Sequence, residues 1–245
     1  MKKIMIAACL YNEERFLPYF LRHYLQVVAE PKDIILFVDT ETTDRTVEIA
    51  KAAGCLVYES PLHGLNDYAL CAFASKQLKK YRDQSEWIIW VDGDELVYPA
   101  TGLVEKLDQH RVQGHQIIKS GSGWQMFSEQ FPTTKGQVYT EVTRGIIEAP
   151  VNKPVIIQPT AEFHWGPGKH QVDRQDLVTV DSSLSMLHFR IMGLDYYLQR
   201  NHNNWERVDL SNRLSGHGWE TSPDQDASNI QSFKNRMVQA SQVPL

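Results

Sequence analysis

The chain has 245 residues, 42% hydrophobic and 22% charged, which supplies one sizeable core and excludes a disordered chain. Its formal net charge is -5 with no long basic run, which argues against a nucleic-acid binder whose affinity rests on lysine and arginine neutralising phosphates. A small anionic ligand stays compatible with that balance, because a metal and a few local donors outweigh a global charge.

Cys9, Cys55 and Cys71 are scattered and lack CxxC spacing, as expected of reduced thiols in a reducing compartment. The opening MKKIMIAACLYNEE places Asn12, Glu13 and Glu14 directly after a short apolar run, so it reads as a first strand and not as a signal peptide. No stretch approaches the roughly 20 apolar residues of a membrane span. A soluble, cytoplasmic protein is the expectation, with peripheral membrane association left open.

In chain order, Ile4–Cys9 has the composition of a strand buried on both faces. Asn12 can cap a helix whose apolar face is Phe16, Leu17, Phe20, Tyr24 and Val28, with Pro18 early in it. Asp33–Val38 is a second strand, and Thr43 or Asp44 caps a helix running through Ala53 to a stop at Gly54. Cys55–Glu59 is a third strand, about Asn66 to Tyr81 a helix, Trp87–Val91 a fourth strand, Thr101–Arg111 a helix and Gln116–Lys119 a strand. This alternation predicts an α/β fold with a mainly parallel sheet flanked by helices. After Gly121 it stops. Short strands are expected at Pro154–Gln158, Leu177–Val180 and Ser185–Phe189, then a helix from Gly193 to Val208 and a polar, turn-rich stretch from Ser211. No linker divides the chain, so residues 1–245 are expected to form one domain, with 121–245 as a cap on the sheet.

Ligands of open α/β sheets bind beyond the carboxyl ends of the strands. Tyr11-Asn12-Glu13, Asp39 and Asp92-Gly93-Asp94-Glu95 follow strands one, two and four, so parallel strands would gather them on one rim. The apolar WIIWV running into DGDE presents carboxylates whose mutual repulsion needs a cation or donors to offset it. Hard oxygen ligands select Mn²⁺ or Mg²⁺, although a solvated turn with a helix cap is the competing account. Gly93 permits a tight turn under either. Asp39 can cap the next helix or bond a ribose or base, and Tyr11 can stack on a base or simply pack. His188 ends an apolar strand as Asp92 does, and a neutral imidazole there could complete a metal sphere; His164 and His170 flank WGPGK.

Taken together these residues resemble the family 2-type glycosyltransferases of the GT-A fold, including a subset related to the family-92 type. YNEERFLPYFLRHY, FVDTETTDRTVEIAKAAG and WIIWVDGDELVYP carry the resemblance over roughly residues 3–100. GWQMFSEQFP, GPGKH, LHFRIMGLDYYLQR and RVDLSNRLSGHGWE extend it into one bacterial branch. One departure is FVDTETTD, which has Thr40 and Glu41 where many members carry Asp-Gly or Asn-Gly. The resemblance implies a nucleotide-sugar-binding half over 1–120 and an acceptor-side half with a C-terminal helix over 121–245. It implies that Tyr11 and Asp39 contact the nucleoside, that Asp92 contacts ribose or metal, that Asp94 ligates the metal and that His188 is a further ligand. UDP-sugars are the default donors, and a glycan or lipid-linked molecule the acceptor.

Sugar transfer develops negative charge on the departing diphosphate, which a divalent ion on Asp94 would stabilise. Arg207 and Arg190 are candidate helpers. Inversion, which family 2 resemblance favours, calls for a base; Glu141 is the choice, with Glu129 and Asp173 close behind. Trp124, Trp165 and Trp219 are candidates for an acceptor platform. A sugar nucleotidyltransferase would share the acidic site but normally needs a glycine-rich loop after strand one, and CLYNEER has no glycine. A non-catalytic nucleotide- or carbohydrate-binding module would bind donor without turnover, and a metal phosphohydrolase would release phosphate from simple esters without an acceptor.

Overall fold

The computed structural model describes residues 2–60, 64–214 and 221–245. Strands β1 (Lys2–Leu10), β2 (Ile34–Asp39), β3 (Leu56–Ser60) and β4 (Ser85–Asp92) lie parallel in the spatial order β4-β1-β2-β3. Helices α1 (Leu17–Tyr24), α2 (Thr46–Ala52), α3 (Asp67–Lys80) and α4 (Leu103–Val112) accompany them. All six residues of β2 are buried, as are Trp87 to Val91 of β4, because helices cover both faces. On one face Phe20, Ala50 and Leu107, from α1, α2 and α4, join the core of Ile6, Leu36 and Ile89. On the other, Cys71, Ala74 and Leu78 of α3 join Ala7, Phe37 and Trp90.

Local signals explain these elements. Asn66 caps α3, its side chain accepting from the Ala69 amide at 2.9 Å. Asn12 does not cap α1. It adopts a left-handed φ of 49°, and its Oδ1 accepts from the Thr43 amide at 2.9 Å, which ties the loop after β1 to the loop after β2.

The second half extends the sheet, where a cap was expected. Strands β5 (Glu95–Tyr98), β6 (Ile117–Ser128), β7 (Arg144–Ile147), β8 (Pro154–Ile157), β9 (Val178–Met192) and β10 (Ser241–Gln242) complete one ten-stranded mixed sheet. β8 pairs antiparallel with both β4 and β6, and so joins the two halves. β6 runs through Gly121, and the two strands expected at 177–180 and 185–189 are one continuous strand, β9, parallel to β6. The glycines of the SGSG run in β6 serve close approach: a Cβ on Gly121 would lie 2.5 Å from Ser182 Cα.

Helix α5 (Leu194–Arg207) matches expectation, while α6 (Leu210–Leu214) and α7 (Asp226–Gln239) form where a turn-rich stretch was expected. The helix α7 buries only Asn229 and Phe233, which is too little for a legible apolar stripe. Phe233 packs with Phe127, Ile191 and Tyr197 in a small core of its own. The three cysteines are free, and no helix among the described residues is long and apolar enough to cross a membrane.

Candidate active site

Because β1, β2 and β4 are parallel and Cys9 stands opposite Asp92 in register, the ends of these strands share one rim. Tyr11, Asp39, Asp92, Gly93 and Asp94 line a single cavity of about 420 Å³ there, with His188 and Arg207 on its other walls.

Asp39 closes a turn of its own: Oδ1 accepts from the Glu41 amide at 2.9 Å, and its carbonyl accepts from the Thr42 amide at 3.0 Å. That is how Thr40 and Glu41 are accommodated without a glycine. The other carboxylate oxygen of Asp39 accepts from the Arg207 guanidinium, which lies 3.7 Å from the centroid of the Tyr11 ring. Arg207 ends α5, and its carbonyl accepts from the Leu65 amide at 2.6 Å. Gly64 is required at this approach, since its φ is +77° and a Cβ would lie 2.8 Å from that carbonyl oxygen.

In the acidic turn, the Asp92 amide donates to Glu95 Oε2 at 3.1 Å. Gly93 is needed for close approach: a Cβ would meet Leu10 Cδ2 at 2.6 Å. Cations of the chain itself offset the carboxylates. Lys153 Nζ lies 2.6 Å from Asp92 Oδ2 and 2.7 Å from Glu95 Oε1, while Lys169 Nζ pairs with Asp92 Oδ1. Burial alone would raise the Asp92 carboxyl, but the two ammonium groups hold it well below the usual range. Asp94, 2% exposed, has both described side-chain contacts on Oδ2: His188 Nε2 at 3.1 Å and Arg200 Nη2 at 3.0 Å. Burial again works upward, and Arg200 and His188 overcome it to hold Asp94 low. Arg200 also donates to Glu13 Oε2 at 2.7 Å. Burial nevertheless pushes Glu13 up to about 7, opposed by Arg200 and helped by the Asp94 charge.

Sequence reasoning missed Lys153, Lys169 and Arg200. None sits in a spacing that marks it, although Lys169 lies in GPGKH. A backbone signal exists only in the fold, where Lys169 takes a left-handed φ of 60° directly after Gly168 at 64°. Asp92, Asp94 and His188 are oxygen and imidazole donors of the kind that suits a hard divalent ion, and Asp94 and His188 already face each other. No three His, Cys, Asp or Glu side chains converge as a ligand set among the described residues, because Asp92 faces the lysines. Asp94 and His188 are thus the pair that could hold such an ion.

Arg190 lines the cavity and donates to Asn201 Oδ1 at 2.8 Å. His170 also lines it, its Nδ1 donating to the Pro150 carbonyl at 2.8 Å. Glu141 is not brought to the rim: its carboxylate accepts from the Thr133 and Thr134 amides in an exposed loop. Glu129 is near Arg144, and Asp173 pairs with exposed His164 at 2.9 Å, both away from the cavity. Glu148, unmarked in the sequence and paired with Arg236, does line it, as do Glu13 and Asp67. Trp124 and Trp165 are buried, the latter packed near Trp90 with Nε1 donating to the Pro154 carbonyl at 3.1 Å, so neither offers a platform. Trp219 lies outside the described residues.

A parallel α/β half with acidic groups on its carboxyl rim, continued by a second half of mixed strands in the same sheet, is consistent with the GT-A fold. Residues 5–151, more than half of the chain, match the family model for glycosyl transferase family 2, and the protein belongs to that family. No curated protein matches the sequence. Similar solved structures include Staphylococcus aureus TarS 1–349 in complex with UDP-GlcNAc, at 13% identity over 97% of this chain and 73% of that one, with a TM-score of 0.49. Another is Mycobacterium tuberculosis glucosyl-3-phosphoglycerate synthase, at 20% identity over 49% of this chain and 44% of that one, with a TM-score of 0.36.

Proposed function

We propose that this glycosyltransferase moves a sugar from a nucleoside diphosphate sugar, UDP by default, to a hydroxyl of a glycan or lipid-linked acceptor with inversion. The observation that carries the reading is the shared cavity, in which the Tyr11–Arg207–Asp39 cluster stands beside the acidic turn. Tyr11 and Asp39 would hold the nucleoside, one through its ring face and the other through its carboxylate, with Arg207 orienting both. Asp92 would meet the ribose. Asp94 and His188 would hold Mn²⁺ or Mg²⁺, which supplies positive charge for the departing diphosphate. Arg200 and the lysines bring further positive charge to the same wall.

The acceptor proton needs a base, and Glu148 is better placed than Glu141, because it lines the cavity.

The test is calorimetric titration of UDP and GDP with Mn²⁺ and with EDTA, on the wild type and Asp94→Asn, followed by a screen of sugar donors for nucleotide release. One nucleotide should bind in Mn²⁺, and Asp94→Asn should lose roughly 10- to 100-fold in affinity. No binding of either nucleotide would overturn the donor assignment. Binding without release from any donor sugar would make the protein a binding module.

A further inference from the structure

The cations around the acidic turn and Asp39, namely Lys153, Lys169, Arg200 and Arg207, are already committed to carboxylates. Arg190 lines the cavity too and faces the neutral Asn201, but a diphosphate carries more negative charge than one arginine offsets. Nucleotide alone would therefore meet cations already committed to carboxylates. A divalent ion alone would meet an Asp92 whose two oxygens are both taken. Bound together, ion and diphosphate bring opposite charges that resolve both conflicts.

The two lysines are not equivalent. Lys153 bridges Asp92 and Glu95, so it keeps a carboxylate partner if Asp92 turns away. Lys169 has Asp92 as its carboxylate partner and stands on a turn with two successive left-handed residues, Gly168 and Lys169. A side chain on a non-glycine residue at positive φ is an uncommon placement, and here it delivers the ammonium group onto Asp92 at the cavity wall. The neighbouring ammonium of Lys153 repels it.

We propose that Lys169 is an exchangeable counter-ion: it closes Asp92 to a free divalent ion, and it transfers to the diphosphate when ion and nucleotide enter together. This rests on the nucleotide-sugar reading above. It makes Lys169 a diphosphate-binding residue and Lys153 a fixed one that stays on Glu95. By linkage, ion and nucleotide must then tighten each other by the same factor.

The experiment measures Mn²⁺ affinity without nucleotide, from the free-ion paramagnetic resonance signal, and UDP affinity by calorimetry with and without Mn²⁺. It uses the full chain as wild type, Lys169→Met and Lys169→Arg. In the wild type each ligand should tighten the other by about tenfold or more, the scale of one charge-assisted contact. Lys169→Met should bind Mn²⁺ alone about tenfold tighter and UDP in saturating Mn²⁺ about tenfold weaker, while Lys169→Arg should keep the wild-type pattern. Unchanged Mn²⁺ affinity in Lys169→Met would overturn the counter-ion role, and equal Mn²⁺ affinity with and without UDP in the wild type would overturn it without any variant. Failure of UDP to bind at all would instead remove the donor reading, leaving the Mn²⁺ comparison between wild type and Lys169→Met to judge the lysine alone.

Discussion

Arg207 shows how much one side chain can join. It pairs with Asp39 through one guanidinium nitrogen and sits 3.7 Å from the centroid of the Tyr11 ring, a combination that a planar, delocalised cation serves best. Arg207→Lys keeps the charge and loses the plane, so UDP affinity in Mn²⁺ should fall by about tenfold while the thermal midpoint barely moves. Calorimetry on that variant decides it, and an unchanged affinity would place the stack outside the nucleoside site. Tyr11, Asp39, Asp92 and Asp94 are legible in the sequence because each directly follows an apolar strand, and parallel strands deliver such residues to one rim. Lys153, Lys169 and Arg200 are not legible for the converse reason. They come from a loop, a left-handed turn and mid-helix, where no periodicity points at a partner more than 60 residues away. Glu141 is kept away from the rim on equally local grounds, since two backbone amides hold its carboxylate in an exposed loop.

At the scale of elements, α1 is locked to the acidic turn's own strand. Tyr24 donates from its hydroxyl to the Glu95 carbonyl and accepts from the Val97 amide, both at 3.1 Å. His23 Nε2 donates to the Val97 carbonyl at 2.9 Å, while its buried Nδ1 has no hydrogen-bond partner among the described residues. Burial pushes this imidazole down to about 4, against a small upward pull from the Val97 carbonyl. The folded-state value lies below the unfolded one, so the neutral ring's contribution is complete above about pH 6.5 and is lost as pH falls toward 4. His23→Gln keeps a donor and removes the titration. Between pH 7 and 4.5 the wild type should lose roughly 2–3 kcal/mol more than this variant in urea unfolding, and parallel losses would show that the ring does not titrate in this window. The elements of the first half are readable because burial on both faces writes itself as unbroken apolar runs. β6 and β9 are hidden in part because their polar residues, the SGSG run and Asp181 to Ser183, look like turns when the partner strand is unseen.

At the scale of the whole molecule, the long parallel seam of β6 and β9 carries the second half. Gly121→Ala drives a methyl group against Ser182 backbone, which cannot swing aside, and should destabilise the protein by about 1–3 kcal/mol in thermal or urea unfolding. Wild-type stability in that variant would mean that the seam yields. The same seam sets an order of assembly. The acidic turn closes early in the chain, but the lysines that neutralise Asp92 arrive 61 and 77 residues later, and Asp94 waits for His188, 94 residues on. The β1–β4 layer has local crossovers and can gather quickly, whereas contacts of such sequence separation form late. A nascent or half-folded chain would therefore hold a bare knot of like charges at its rim. Contact separation alone thus expects the binding centre to be completed after the sheet that carries it, and a chain stalled before β9 docks should have the β1–β4 layer without His188 on Asp94.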